Sequence, residues 1–175
     1  MVSRFTWTNW SHGKVLKHGE NLWQGEHNGY KPVTHKRTVI ALNGDRWLVV
    51  DHLYDTQPHH YALHWLLNDF PYEQQENLIL LSLDSVKYKV QVGLVHGKSV
   101  FSVVRGDPNS TRGWRSQYYG EKEPAISAML ETDQPRVCFW TFFGTVSDSI
   151  ELFENVLNIS SEDGNVEINL DELNK

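Results

Sequence analysis

The sequence predicts an all-β protein, folded as an antiparallel β-sandwich of about 12 strands with little helix. Three observations lead to this prediction. Short segments with a strand pattern follow one another closely, turn residues separate several of them, and aromatic residues make up 12% of the composition. Aromatic side chains favour pleated, half-buried surfaces. Strands this numerous and closely spaced favour an antiparallel sandwich over βαβ units.

Recognisable turns separate several of the predicted strands. Asn43-Gly44-Asp45 is a hairpin signal between two apolar runs, His96-Gly97-Lys98 joins a second pair, and Glu162-Asp163-Gly164-Asn165 joins the last two. The strands are predicted over residues 4–9, 14–18, 33–42, 46–54, 59–67, 78–82, 86–95, 99–105, 125–132, 136–143, 149–159 and 166–170.

The segment 59–67 shows the clearest strand pattern. One of its faces carries Tyr61, Leu63, Trp65 and Leu67, and the other carries His60, Ala62 and His64. Because side chains alternate between the two faces of a strand, this segment is predicted to be half-buried, with an aromatic face toward the core.

Two segments depart from the strand pattern. Residues 70–77 open with Pro71, are rich in Glu and Gln, and have room for a helical turn or two. Residues 106–124 contain three Gly, two Pro and many polar residues, so they are predicted to form a long loop. A long ordered loop in a compact domain is more often functional than filler.

Length and charge restrict the class of protein. The 175 residues suit a single domain over 1–175, and 39% hydrophobic with 22% charged residues is ordinary for a soluble globular protein. No apolar run approaches the ~20 residues of a membrane span. The start lacks the apolar core of a signal peptide, so the compartment stays unknown. A net charge of −6 argues against nucleic acid as a partner, and an acidic glycan would need a local basic patch.

The nine histidines do not form a chelating motif. His60 and His64 share a strand face, but about 13 Å at ~3.3 Å per residue separates them, too far for one ion. We therefore predict no metal site and no cofactor in this chain, with an assembly of His27, Asp51 and His64 from distant strands left open. Cys138 lies in an apolar run and is predicted to be a buried, unreactive thiol.

Two basic clusters are candidates for ligand contact. The first comprises His27, Lys31, His35, Lys36 and Arg37, with His35 and Arg37 on one strand face and Lys36 on the other. The second comprises Arg105, Arg112 and Arg115, interleaved with Trp114, Tyr118 and Tyr119. Arginine grips a carboxylate or sulfate through two hydrogen bonds, and aromatic rings stack on sugars.

From these clusters we predict a set of substrate-binding residues: Arg112, Trp114, Arg115 and Tyr119, with His27 and Tyr30 next. In the alternative interpretation, Arg112 and Arg115 make hydrogen bonds that order the loop, or dock it onto another domain.

Several ordered motifs resemble the C-terminal β-sheet domain of heparinase II/III-like polysaccharide lyases. They are Gly25-Glu26-His27-Asn28-Gly29-Tyr30, His35-Lys36-Arg37-Thr38-Val39, Trp47 through Asp51, His59 through Trp65, Arg112-Gly113-Trp114, Ser116, Tyr119-Gly120-Glu121 and Glu123-Pro124-Ala125. At position 28 the family more often has Asp. The order and approximate spacing of the whole set fit the family across most of the chain.

The resemblance implies a supersandwich-like β-sandwich that follows an α-helical toroid in a longer lyase. In that family, catalytic Tyr and His residues come from the toroid, and a divalent metal sits in the early sandwich. The matching motifs are not in this chain, so we carry over no catalytic or metal residue. A divalent metal of the longer protein would bind residues upstream of this chain.

Two hypotheses of function follow, and a third is weaker. In the first, the chain is the C-terminal domain of a lyase that cleaves uronic-acid-containing glycans by β-elimination, inactive alone, with an open sheet edge prone to self-association. In the second, it is a free-standing carbohydrate-binding or interaction module without catalysis. In the third, Glu121 and Glu123 serve as the carboxylate pair of a glycoside hydrolase. In the alternative interpretation, those two carboxylates belong to a solvated or internally paired loop beside Lys122.

Overall fold

A computed structural model describes residues 10–175, and the predicted strand 4–9 lies outside them. The described residues contain fourteen strands and one short 3-10 turn, Glu172–Asn174. The strands are β1 (Gly13–His18), β2 (Leu22–Tyr30), β3 (Val33–Leu42), β4 (Arg46–Leu67), β5 (Tyr72–Gln75), β6 (Leu78–Leu83), β7 (Val86–Leu94), β8 (Val100–Arg105), β9 (Trp114–Arg115), β10 (Glu123–Pro124), β11 (Ile126–Thr145), β12 (Ser149–Phe153), β13 (Val156–Ser161) and β14 (Gly164–Asn169). The prediction of an all-β, antiparallel fold is confirmed.

One large sheet is organised around the two longest strands, β4 and β11. Its order is β1-β2-β3-β4-β11-β7-β6-β5, and β8 pairs with the first part of β11. β4 and β11 are antiparallel from the pair Leu67 and Ile126 to the pair Trp47 and Phe143. Their register shifts between Gln134 and Arg136, which divides both strands into two halves.

The two halves of β4 and β11 belong to different layers of a sandwich. The long layer consists of β1, β2, β3, residues 46–54, residues 136–145, β7, β6 and β5. The short layer consists of residues 59–67, residues 126–134 and β8.

Buried side chains from the two layers pack against each other. Tyr61 and Leu63 of the short layer share a core cluster with Val92 and Phe139 of the long layer. A second cluster joins Ile126 and Ala128 to Ile79, Leu81 and Val90. The side chain of Trp65 also crosses between the layers, and its Nε1–H donates to Oγ1 of Thr141 at 2.9 Å.

A third layer, formed by β12, β13 and β14, covers the opposite face of the long layer. Leu48, Val50 and Phe142 pack there against Leu157 and Ile159. Alternation along β4 explains the division, because Leu48, Val50 and His52 face this C-terminal sheet while Val49, Asp51 and Leu53 face the short layer. None of the helical structure in residues 10–175 is long and apolar enough to cross a membrane.

Several local predictions are confirmed. The strand 33–42 has the predicted bounds, and Tyr61 and Leu63 are buried as their alternation predicts. The turn at residues 43–45 connects β3 to β4, with Gly44 and Asp45 at positive φ. Residues that tolerate a left-handed backbone favour such turns.

Other local predictions are wrong. Residues 22–30 form β2, which we did not predict, because glycines and polar residues hide its pattern. Residues 70–77 are not helical: Tyr72–Gln75 pairs with β6. The segment 149–159 is two strands separated by a turn at Glu154, whose φ is positive. Residues 96–98 do join two strands, as predicted, but β7 and β8 each pair with β11 and not with each other.

Candidate functional site

A cleft of about 530 Å³ opens between the long layer and the second half of β4. Side chains of β2, β3 and the first half of β4 form its floor. Residues 59–64, in the second half of β4, form a wall. The cleft exists because the short layer is narrower than the long layer and leaves the face of β2 and β3 uncovered. Most of the floor is polar, whereas the neighbouring core is apolar.

A chain of hydrogen bonds crosses this floor. The backbone N–H of Gly29 donates to Nδ1 of His27 at 3.1 Å, and Nε2 of His27 lies 2.9 Å from Nδ1 of His35. Nε2 of His35 lies 2.6 Å from Oδ1 of Asp51. Arg37 donates through Nε and a terminal nitrogen to the two oxygens of Asp51, at 2.6 and 2.9 Å. We call His27, His35 and Asp51 the histidine chain.

The backbone donor at one end fixes the tautomers of both rings. An amide N–H can only donate, so Nδ1 of His27 carries a lone pair and its Nε2 carries the hydrogen. That hydrogen is donated to Nδ1 of His35, so Nε2 of His35 carries the second hydrogen and donates it to Asp51. In this arrangement both rings are neutral and all four ring nitrogens are engaged.

Strand register brings these residues together. His27 pairs with His35 across β2 and β3, and Arg37 pairs with Asp51 across β3 and β4. Residues directly opposite in neighbouring strands share a face of the sheet. The prediction that His35 and Arg37 share one face is confirmed, and Lys36 points to the other side, where it donates to the backbone oxygen of Asn174.

Aromatic side chains border the histidine chain on both sides. The ring of Tyr30 stacks over His35 with a centroid separation of 6.1 Å, and 61% of the residue is exposed at the cleft mouth. The guanidinium carbon of Arg37 lies 5.3 Å from the ring centroid of Trp65. The hydroxyl of Tyr61 is buried in the cleft wall and has no hydrogen-bond partner among residues 10–175.

Burial and neighbouring groups shift the pKa values of Asp51 and His27. Burial tends to raise the pKa of Asp51, but the hydrogen bonds from His35 and Arg37 outweigh it and hold that pKa below its usual value. Burial is the largest cause that lowers the pKa of His27; the charge of Arg37, and a charge on His35 whenever that ring is protonated, lower it further. Both shifts favour the neutral imidazole and ionised carboxylate that the hydrogen-bond order requires.

We expect the protein to lose stability as the pH falls below about 6.5, the ordinary histidine pKa. The pKa values of His27, His52 and His64 are all lowered on folding, with burial as the largest cause. Just below pH 6.5, these three histidines therefore bind protons in the unfolded chain but stay largely neutral in the folded chain. This difference in proton binding favours unfolding as the pH falls. The pKa of the exposed His60 is raised by Asp133 and Glu131 and opposes the trend.

Urea unfolding at a series of pH values from about 8 to about 5 measures this effect. The His27→Gln variant is the matched comparison, because it removes one of the three groups and keeps a polar side chain. We expect its unfolding free energy to change less with pH than that of the wild type. An unchanged pH dependence in this variant would contradict the assignment to His27.

The loop 106–124 lies on the outer face of the short layer, away from the cleft floor. Its only strand pairing is the short ladder between β9 and β10. Arg112 fastens the loop: its Nε donates to Oγ of Ser127 at 3.0 Å, one terminal nitrogen donates to Oγ of Ser102 at 3.0 Å, and the other donates to both backbone oxygens. Ser102 and Ser127 belong to β8 and β11, so one guanidinium holds the loop to two strands.

Among the other loop residues, Arg115 and Trp114 form hydrogen bonds within the chain, whereas Tyr119 is exposed to solvent. Arg115 donates to Glu123 at 2.5 Å and also to Asn68, so its charge is engaged within the chain. The indole of Trp114 donates to the backbone of Asp107, and the ammonium of Lys122 lies 4.1 Å from its ring centroid. Tyr119, in contrast, is fully exposed.

The structure thus divides the six predicted substrate-binding residues into two groups. Tyr30 lines the cleft, and His27 lies beside it, bonded to the cleft residue His35. Arg112, Trp114, Arg115 and Tyr119 lie on the loop. Substrate contact by any of them stays a prediction. The histidine chain could not be recognised in the sequence as a unit, because its members lie on three different strands and only the register of β2, β3 and β4 places Asp51 beside His35.

Two other sequence hypotheses concern carboxylates and metals. Glu123 accepts hydrogen bonds from Arg115 and Gln117, and Glu121 is exposed. His64 bonds Oγ of Ser127 and does not join the histidine chain. No group of three or more His, Cys, Asp or Glu side chains in the described part of the chain is arranged to hold a metal ion.

Solved structures of polysaccharide lyases have the same fold. A heparinase III structure has a TM-score of 0.72 at 16% identity over 89% of this chain, and one of heparinase III with methylated lysines has 0.69 at 14% over 90%. A heparan sulfate lyase, HepC from Pedobacter heparinus, has a TM-score of 0.64 at 14% identity over 91%. The matched regions cover 27%, 27% and 28% of those chains, so this chain spans about a quarter of their length. At such identities the likeness establishes the fold.

Structural likeness at these identities does not identify the family of the chain, but a comparison with family models does. No curated protein sequence matches the chain. The model of the heparinase II/III-like C-terminal family, however, matches residues 1–164. That span covers nearly the whole sandwich, including the cleft, the histidine chain and the loop 106–124. The chain belongs to the heparinase II/III-like C-terminal family.

Proposed function

We propose that this chain serves as the C-terminal domain of a polysaccharide lyase that cleaves uronic-acid-containing glycans by β-elimination. In this proposal the chain is inactive alone, supports an α-helical toroid and lines part of the substrate cleft. Its family membership and its coverage of about a quarter of related lyase chains support the assignment. Any divalent metal of the longer protein would bind residues upstream of this chain.

The hydrogen bonding of the histidine chain is the observation on which we base the proposed inactivity of the isolated domain. β-Elimination from a uronate needs a base for the C5 proton, an acid for the leaving oxygen and a group that neutralises the carboxylate. In the cleft, both rings of the histidine chain use their nitrogens within the chain, and Arg37 is paired with Asp51. Within the histidine chain, therefore, no imidazole lone pair is free to accept a substrate proton.

We assign substrate contact to the exposed members of the predicted set. Tyr30 and Tyr119 present open aromatic faces, on which a sugar ring can stack, and Lys122 places a positive charge over Trp114. Arg112 and Arg115 shape the loop that carries these groups. With a net charge of −6, the chain depends on such local groups to approach an acidic polysaccharide.

A free strand edge fits a partner domain. Within residues 10–175, residues 59–67 pair only with β11, so their other edge presents backbone N–H and C=O groups. Such an edge readily accepts another strand. We assign it to the preceding part of the longer protein and expect self-association when that part is missing. Sedimentation of the isolated chain tests this, and a monomer at all concentrations would contradict it.

The isolated chain is expected to produce no unsaturated uronate from any acidic polysaccharide. The assay follows the ultraviolet absorbance of the unsaturated product over a panel of heparin-like, alginate-like and bacterial surface polysaccharides. A complete heparinase III serves as the positive control. Turnover that survives purification of the chain would overturn the proposal, because the necessary base and acid would then lie within these 175 residues. Tight glycan binding without turnover would favour a binding module.

A further inference from the structure

The face of β2 that bears His27 continues beyond the cleft to Trp23. Trp23, Gly25 and His27 share this face because side chains alternate along a strand. A Cβ atom on Gly25 would lie 2.6 and 2.8 Å from two atoms of the six-membered ring of Trp23. The ring therefore lies along the strand, in the space that a side chain at residue 25 would fill. Since 44% of Trp23 is exposed, the side of the ring that faces away from the sheet is open.

Strand register places this ring beside Arg37 of the cleft floor. Gly25 is directly opposite Arg37 in the pairing of β2 with β3, and the Cβ positions of such opposite residues are about 5 Å apart. On the side of the short layer, the guanidinium carbon of Arg37 lies 5.3 Å from the ring centroid of Trp65. Arg37 therefore has one indole near it from each layer. We call Trp23, Gly25 and Arg37 the indole platform.

Arg37 keeps hydrogen-bond donors for a ligand. Its Nε and one terminal nitrogen donate to Asp51 at 2.6 and 2.9 Å, and the other terminal nitrogen, Nη1, makes no hydrogen bond within residues 10–175. The buried side-chain nitrogen and oxygen atoms without a partner in this part of the chain all belong to other residues, so Nη1 is open to solvent. In agreement, 37% of the Arg37 side chain is exposed. This nitrogen carries two N–H donors.

The indole platform carries no unpaired charge. The cation of Arg37 is balanced by the buried carboxylate of Asp51, which its hydrogen bonds keep ionised by lowering its pKa. Lys14 and Glu26 pair with each other at 2.9 Å on the opposite face of β1 and β2. A second carboxylate or a sulfate at Nη1 would find the charge of Arg37 already neutralised, and Asp51 would repel it. A hydroxyl is the acceptor that suits these donors.

We propose that the indole platform binds an uncharged pyranose ring within an acidic polysaccharide. The apolar C–H face of the sugar stacks on the open side of Trp23, and one of its hydroxyls accepts a hydrogen bond from Nη1 of Arg37. The identity of the polymer as an acidic polysaccharide rests on the proposed lyase function, whereas the choice of an uncharged unit rests on the charges of the platform. With a net charge of −6, the chain reduces repulsion by contacting such a polymer at its neutral units.

NMR of the full chain tests this subsite through two reporters, the indole N–H of Trp23 and the Nε–H of Arg37. The probe is a tetrasaccharide in which hexuronic acid alternates with N-acetylhexosamine, used as such and after reduction of its carboxyl groups to alcohols. We expect saturable shifts of both reporters with both forms, and dissociation constants that differ by less than about threefold. Raising the NaCl concentration from about 50 to about 500 mM should leave the affinity of the reduced form unchanged, because salt screens only interactions between charges.

The outcomes separate this proposal from the proposed lyase function. Binding of the acidic form alone would overturn the uncharged subsite and leave the lyase proposal intact. The absence of saturable shifts with either form at up to about 20 mM would also overturn the subsite. In both cases the assay for unsaturated uronate decides the lyase proposal by itself, because it measures product and not binding to the indole platform.

A matched pair of variants assigns the binding to Trp23. Trp23→Ala should weaken binding of the reduced tetrasaccharide at least about tenfold, as for truncation of an aromatic anchor. Trp47→Ala is the control, because Trp47 is 45% exposed but lies on β4, two strands away from β2 in the sheet. This control should bind like the wild type, and the Arg37 signal follows binding in both variants.

Gly25→Ala distinguishes a binding role of Trp23 from a structural one. An aromatic ring over a glycine can serve only to cover the backbone of the strand. The added methyl group covers that backbone by itself but forces the ring off the sheet. We expect binding at least about fivefold weaker, with the fold retained, so this variant also replaces Trp23→Ala if the latter does not fold. Wild-type affinity in either variant would contradict the subsite.

Discussion

Replacing Arg46 with methionine is expected to lower the free energy of unfolding by about 3–5 kcal/mol. Both Arg46 and its partner Asp148 are almost completely buried, with Nε of the arginine 2.9 Å from the carboxylate. Arg46 also donates to Asp163 at 2.5 Å and to the backbone of Asn43 at 2.9 Å. Methionine fills similar space but leaves the Asp148 carboxylate buried without its cation, and this accounts for most of the expected loss.

Urea unfolding of Arg46→Met measures the effect, with Arg105→Met as the matched control. Arg105 also forms a two-bond pair, with Asp69, but its side chain is 49% exposed. Exposed pairs contribute about 0–1 kcal/mol, so the control should be nearly as stable as the wild type. Equal losses in the two variants would show that burial of the Arg46 pair has no special importance.

Replacing Asp51 with alanine is expected to cost about 2–4 kcal/mol of stability and to disorder the cleft. Asp51 is 2% exposed and accepts one hydrogen bond from His35 and two from Arg37. Alanine leaves the guanidinium and the His35 N–H without their acceptor. Without that acceptor, the order of donors and acceptors along the histidine chain is no longer fixed. We therefore also expect the ring signals of His27 and His35 to change in the NMR spectrum.

Two controls separate the charge of Asp51 from its shape. Asp51→Asn keeps one acceptor oxygen at the same place and should lose less stability than the alanine variant. Asp69→Ala removes a more exposed carboxylate and should cost no more than about 1 kcal/mol. If the spectra of His27 and His35 in Asp51→Ala match those of the wild type, the proposed order of donors is wrong.

The parts of the fold that the sequence predicts are those with a strong local signal. β3 has an apolar pattern and a turn with Asn and Gly after it, and both are visible without knowledge of the neighbours. β2 contains Gly25 and Gly29 and several polar residues, so only its pairing with β1 and β3 identifies it. The same holds for β5, which is a strand because β6 offers it an edge.

The candidate sites depend on register, which is harder to predict. Moving a strand by one residue turns every side chain to the opposite face. The pairing of β2 with β3 contains an irregularity between His27 and Tyr30, so sequence distance alone does not align His27 with His35.

The shared use of β4 and β11 by two layers has a consequence for the way the chain folds. The short layer needs the first half of β11 and the long layer needs the second half, so the short layer cannot close before residue 134 is made, and the long layer cannot close before residue 145 is made. During synthesis, β4 is therefore complete long before its partner β11 is made, and pairing between segments so distant in the sequence is slow. Hairpins such as β2–β3 can form early, but the cooperative step comes only after residue 145 has left the ribosome, so a chaperone that shields β4 until then should raise the folded yield.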